Sequence, residues 1–143
     1  MVETKGKVKA GNFVSGKGGR KTARASVWLY DKTRAPVDGI VVNGLTAKNY
    51  FLDFKNAESK LIRPFQVTNS LGRFAVSARV AGGGKKAQLE ATVLALARAL
   101  IAKNAEYRPG LRQEGLLTSD SRMVEPKKWG KHKARRGQQF AKR

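Results

Sequence analysis

The sequence predicts an α/β chain: a two-layer α+β sandwich followed by a long, extended basic C-terminal tail. Three observations predict it. Two segments, Arg24–Tyr30 and Arg73–Val80, alternate apolar and polar residues with the period of a half-buried strand. One long segment, Lys85–Lys103, places Leu89, Val93, Leu96 and Leu100 on one helical face and is rich in alanine. The last eighteen residues, Pro126–Arg143, hold eight Lys or Arg, no acid, and no Leu, Ile or Val to bury.

The elements follow in order. Residues 1–23 are rich in Lys and Gly, carry the single acid Glu3, and read as a basic N-terminal arm. Residues 24–117 hold nearly all the aliphatic side chains and form the globular domain; residues 118–143 form the tail. Within the domain, Ala25, Val27 and Leu29 face inward from the first strand. Pro36-Val-Asp-Gly39 is a turn signal. Ile40–Asn43 is a short strand and a candidate partner for the first. Thr46 suits the N-cap of a short helix through Leu52. Ala57–Arg63 reads as a helix stopped by Pro64, with Phe65–Thr68 extended beyond it. The Arg73–Val80 strand turns Phe74, Val76, Ala78 and Val80 inward. Gly82-Gly83-Gly84 leads into the long helix, and a shorter helix covers Glu106–Gln113. Pro109 either interrupts that helix or opens a new turn, where its missing N–H costs little.

Length and charge bound the function. The 143 residues suit one domain with a real core, and 41% hydrophobic content fits a folded chain. The formal charge of +20 opposes compaction and calls for an anionic partner: nucleic acid, anionic membrane or acidic protein. Cysteine is absent, so disulfides and thiolate metal sites are excluded, as suits a cytoplasmic setting. No apolar run approaches the ~20 residues that span a bilayer. The start, MVETKGKVKAGNFV, lacks the apolar core of a secretory signal. The tail pairs no basic face with a continuous apolar one, which argues against a membrane partner.

Catalytic chemistry finds few residues. His132 is the single histidine and sits among cations with nothing to orient it, so its simpler reading is a polar tail residue. Gly16–Thr22 (GKGGRKT) and Gly82–Lys86 (GGGKK) resemble phosphate loops, but both fail the G-x-x-x-x-G-K-[ST] spacing. No cofactor, metal or small-molecule substrate is expected, and the chain is not expected to be an enzyme. The Gly82–Gly84 run has two compatible readings. It supplies positive φ or close packing, and it lets bare backbone N–H groups at a helix start approach a phosphate. Lys85 and Lys86 stand in that first turn, where an external anion would offset the helix dipole.

The two ends read as nucleic-acid contacts. The tail interleaves cations with Trp129 and Phe140, which can stack on unpaired bases. Arg stands beside Lys, and Arg forks onto phosphates. Lys17, Arg20, Lys21 and Arg24 make the N-terminal segment basic as well.

The run Gly82-Gly83-Gly84-x-x-Ala87-Gln88-x-x-Ala91-x-x-x-Ala95-x-Ala97-Arg98-Ala99-Leu100 resembles the signature of the small-subunit ribosomal protein nine family, in its bacterial form. GKGGRKTARASV (16–27) is similar to that family's lead into its first strand, and Leu117–Arg143 to its tail. The resemblance covers residues 16–143. It implies a ribosomal S-five-domain-two-like fold and a cytoplasmic place in the head of the small ribosomal subunit. Its partners would be rRNA, neighbouring ribosomal proteins of the head, and the peptidyl-site tRNA. It gives the rRNA grip to Lys127, Lys128, Lys131, Lys133, Arg135 and Arg136; Arg122 and the Gly82–Lys86 segment are further expected rRNA contacts, with Lys17, Arg20, Lys21 and Arg24. Contact with tRNA would fall to Lys142 and Arg143. Pro126, Trp129 and Lys131 depart from the residues usual at those places in the family. Composition alone also allows a DNA-binding, chromatin-compacting protein, which would bind duplex DNA as well as structured rRNA.

Overall fold

A computed structural model of the chain describes residues 13–32 and 39–141. The turn expected at Pro36–Gly39 therefore lies, apart from Gly39, outside the described residues, as do Lys142 and Arg143. Five strands form one mixed sheet: β1 (Phe13–Arg20), β2 (Ala23–Asp31), β3 (Ile40–Val42), β4 (Leu45–Thr46) and β5 (Phe74–Ala81). Their order across the sheet is β1-β2-β5-β3-β4. Among the described residues four helices accompany them: α1 (Ala47–Tyr50), α2 (Ala57–Val67), α3 (Lys85–Lys103) and α4 (Arg108–Gln113), the last preceded by a 3-10 turn at Ala105–Tyr107.

Strand β1 differs from the sequence reading, which left Phe13–Arg20 in a basic arm. It pairs antiparallel with β2 along its whole length, from Phe13 opposite Tyr30 to Arg20 opposite Ala23. Its buried positions are Gly16 and Gly18, with Val14 the one half-buried apolar residue on the same face, so it shows almost no apolar alternation. The glycines admit α3 to van der Waals contact with the backbone. A Cβ at Gly16 would lie 2.2 Å from the Ala95 carbonyl oxygen, and one at Gly18 equally close to that of Ala91. The alanines of α3 and the glycines of β1 are thus two halves of one close-packed seam.

Strands β2 and β5 fall where alternation puts them. Ala25, Val27, Leu29, Val76, Ala78 and Val80 are all buried. Strand β3 lies elsewhere than expected: it runs parallel to β5, with Val42 beside Ala78, and does not pair with β2. An Asn43-Gly44 turn, both residues at positive φ, joins β3 to β4. This is the residue pair that a two-residue hairpin favours. The Asn43 side chain adds a tie to β5: its Oδ1 accepts from the Val80 N–H (2.9 Å) and its Nδ2 donates to the Val80 carbonyl (3.0 Å).

Helix α2 continues through Pro64 to Val67, taking in the Phe65–Val67 stretch read as extended. Proline removes one N–H and strains the preceding turn, but Leu61, Pro64 and Phe65 form one buried stripe. Burying that stripe outweighs one missing hydrogen bond near the helix end. Beyond it, the Thr68 hydroxyl donates to the Pro64 carbonyl at 3.0 Å and lies 2.6 Å from the Ser70 hydroxyl. Helix α3 matches its predicted limits. It lies over β1 and β2 with α2 beside it. Both flanks are covered, so its burial extends beyond the predicted leucine face to Ala91, Thr92, Ala95, Ala97 and Ala99. Pro109 falls in the first turn of α4 and opens that helix.

From Thr118 to Ala141 the chain forms no helix or strand; short turns and bends lie near residues 129–135.

Candidate nucleic-acid interface

The glycine run is shaped first by packing. Gly82 and Gly83 both take positive φ, 73° and 61°. A Cβ on Gly82 would lie 2.5 Å from the Thr22 carbonyl oxygen, and one on Gly83 would lie 3.0 Å from Ala23. The run is therefore pressed against the β1–β2 hairpin. Gly84 differs: it caps α3 with ordinary φ, and nothing lies within 4 Å of its missing Cβ. Gln88 then fastens the run from inside the helix. Its Nε2 donates to the Gly82 carbonyl (3.0 Å), while its Oε1 accepts from the Tyr50 hydroxyl (2.9 Å). Lys85 is also engaged within the protein: its ammonium sits 3.4 Å from the Tyr50 ring centroid and donates to the Tyr50 carbonyl. Lys86 is exposed.

The sheet face turned away from α3 gathers a second set of cations. Lys17 on β1, Ser26 on β2 and Arg79 on β5 stand on one rung of the register; Arg24 is two residues further along β2. Lys17, Arg24 and Arg79 are exposed. Sequence reading singled out Lys17 and Arg24 but passed over Arg79. The outward half of the β5 alternation was its signal. Lys21, at the hairpin tip, is exposed with a φ of 55°.

Arg20 and Arg122 do not stand free as the sequence suggested. Arg20 Nε donates to Glu90 Oε2 and its Nη2 pairs with Asp120 Oδ2, both at 2.9 Å. Its side chain is only 14% exposed, because Glu90 on α3 and the 120–122 turn enclose it. Arg122 is exposed but paired with Asp120 at 2.8 Å. With Gly19, Lys86, Leu94 and Thr118 these groups line a cleft of about 420 Å³. The structure thus joins Arg20, Lys86 and Arg122, from three separate segments, around two carboxylates.

The C-terminal segment carries its cations outward. Lys127, Lys131, Lys133 and Arg136 are exposed and make no ion pair among the described residues. Lys128 and Arg135 share Glu125, each at 2.9 Å. The Arg136 carbonyl accepts from the His132 N–H, closing a small loop.

Two carboxyls in this segment are held below the usual range. For Asp120 the largest cause is the hydrogen bond from the Arg122 side chain, followed by that from the Arg122 backbone N–H; the charges of Arg122 and Arg20 add to them. For Glu125 the causes are Lys128, then Arg135. A carboxyl lowered in the folded state contributes above its unfolded pKa and loses that contribution as pH falls through the folded value. The attachment of the segment at Asp120 should therefore persist at pH 5 and fail only below about pH 4. The Arg122 amide resonance, followed through an acid titration, checks this. A loss beginning near pH 6 would contradict it.

Among the described residues, no three His, Cys, Asp or Glu side chains are placed to hold a metal ion, and no helix is long and apolar enough to cross a membrane. Fold and surface together describe a mixed α/β chain with many exposed cations.

The family described as "Ribosomal protein S9/S16" matches residues 18–143. The protein of Thermus thermophilus named small ribosomal subunit protein uS9 is 44% identical over 129 residues, 90% of this chain and 96% of the relative. Those of Cytophaga hutchinsonii and Campylobacter jejuni, with the same name, are 44% identical over 126 residues (88% and 94% of the two chains) and 41% over 135 residues (94% and 99%). The chain belongs to the ribosomal protein S9 family, in its bacterial form, a family of structural, non-enzymatic components of the small ribosomal subunit.

Proposed function

We propose that this chain binds rRNA in the head of the small subunit, among neighbouring ribosomal proteins, and that its C-terminal segment reaches the peptidyl-site tRNA. The observation that carries the reading is the C-terminal surface. Trp129 and Phe140 are each 100% exposed and stand among Lys127, Lys131, Lys133 and Arg136. Wholly exposed aromatics interleaved with cations suit a chain that stacks bases while neutralising phosphates. Lys17, Arg24 and Arg79 offer a second phosphate-binding row on the sheet, with Lys21 at the hairpin beside it. At the start of α3, Lys86 and the open backbone of Gly84 face outward, Gly82 and Gly83 hold the turn, and Lys85 stays over Tyr50. Arg20 is withdrawn from the phosphate contacts because carboxylates already satisfy it. Lys142 and Arg143, at the end of the segment, are assigned to tRNA. The S-five-domain-two-like fold, cytoplasmic location and division into arm, domain and tail belong to the same reading, with β1 now inside the domain.

Deleting Lys142 and Arg143 should weaken peptidyl-site tRNA binding to purified small subunits by about tenfold, the loss of one or two charge-assisted contacts. The variant should still enter subunits. Unchanged tRNA affinity would remove the tRNA contact from the proposal and leave the rRNA contact standing.

A further inference from the structure

We infer that Arg20 is the positioning residue that fixes the direction in which the C-terminal segment leaves the domain. Its planar guanidinium has a different partner on each side. Toward the domain, Nε donates to Glu90 Oε2 at 2.9 Å. Toward the segment, Nη2 pairs with Asp120 Oδ2 at 2.9 Å. Nη1 donates to the backbone carbonyls of Asp120 (3.3 Å) and Arg122 (2.8 Å). Only a rigid fork of five donors meets a carboxylate and two carbonyl groups from residues two apart while keeping a second carboxylate behind it.

Both ends of this contact are stiff. Arg20 closes β1, which Gly16 and Gly18 seat against α3, and Glu90 stands on α3 itself. Asp120 in turn accepts from the N–H and the guanidinium of Arg122, so residues 120–122 form a closed turn before Arg20 grips them. Beyond Arg122, no hydrogen bond or ion pair joins the segment to the domain among the described residues; its later pairs are within itself. Arg20 is thus the last polar tether. Residues 123–141, fully extended, would reach about 60 Å, so a swing of about 10° at the root displaces the tip by about 10 Å.

The absence of cysteine makes the test direct. Nitroxide labels on cysteines introduced at exposed Ala102 and Val124 report the domain-to-segment distance in the free, full-length chain. A second pair, at Ala102 and Lys60, reports the domain alone. The parent should give a narrow domain-to-segment distribution. Arg20→Met should broaden it and leave the domain pair unchanged. Arg20→Lys, which keeps the charge and loses the fork, should broaden it too. A narrow distribution in Arg20→Met overturns the inference. If Arg20→Met disturbs the domain pair, Asp120→Asn decides: broadening supports the tether, and a narrow distribution overturns it.

The consequence for RNA rests on the proposed function. Arg20→Met should weaken binding to small-subunit rRNA about tenfold through the smaller fraction of correctly aimed segments, with the salt slope unchanged. If the parent itself fails to bind rRNA, the proposed function falls while the label distances still decide the tether.

Discussion

Removal of residues 126–143 should cut the affinity of the purified chain for small-subunit rRNA by at least about 10³-fold at low salt, and flatten its salt dependence. The truncation deletes eight cations: Lys127, Lys128, Lys131, Lys133, Arg135, Arg136, Lys142 and Arg143. Each phosphate neutralised releases condensed counterions. If all eight engage, the slope of log affinity against log salt should become shallower by about 6 to 7. Lys128 and Arg135 give less than the others, because each must first share or leave Glu125. The domain should be undisturbed, since none of these side chains belongs to the core. Filter binding of both chains across a salt series measures both quantities. Equal slopes would mean that the domain alone carries the phosphate contacts.

Gly18→Ala should destabilise the domain by about 3 kcal/mol, near the upper end for overpacking. The new Cβ would lie 2.2 Å from the Ala91 carbonyl oxygen and 2.7 Å from the Ala95 nitrogen. Both are backbone atoms of a 19-residue helix, which cannot rotate aside as a side chain would. Either β1 leaves the sheet or α3 lifts from it. The neighbouring Gly19→Ala is the control. Its Cβ would meet nothing closer than the Ala23 carbonyl at 3.6 Å. That substitution should be neutral, or stabilise by up to about 0.5–1 kcal/mol, because glycine is a poor strand residue. Thermal unfolding should show a fall of roughly 10 °C for Gly18→Ala and little change for Gly19→Ala. Equal midpoints would mean that β1 is not seated on α3 as described.

The same seam explains which parts of the fold were legible in the sequence. Strands β2 and β5 announce themselves because their inward positions carry Val, Leu and Ala against polar outward ones. Helix α3 does so through its leucine spacing and its alanines. Strand β1 stayed hidden because its buried positions, Gly16 and Gly18, are glycines: close approach required the removal of the very side chains that make a strand recognisable. Pro64 misled in the opposite direction, since a local rule about proline gave way to the buried stripe of Leu61, Pro64 and Phe65. The parallel pairing of β3 with β5 depends on chain path, and no local pattern carries it.

The candidate site was legible by composition more than by role. Exposed cations and aromatics between Lys127 and Phe140 follow from a segment with nothing to bury. Arg20 read as one more cation in GKGGRKT. Its partners, Glu90 and Asp120, lie 70 and 100 residues away, and only the folded chain brings the three together. Gln88 is a similar case. It looked like part of a signature, and its physical work is to join Gly82 to Tyr50.

Under the proposed function, this chain works within the small ribosomal subunit by binding rRNA. Sedimentation of a cell extract through a sucrose gradient, with each fraction probed for the chain before and after a high-salt wash, is the decisive experiment. The full-length chain should travel with the small subunit and remain there through the wash. A chain that sediments as free protein, or with duplex DNA, would contradict it.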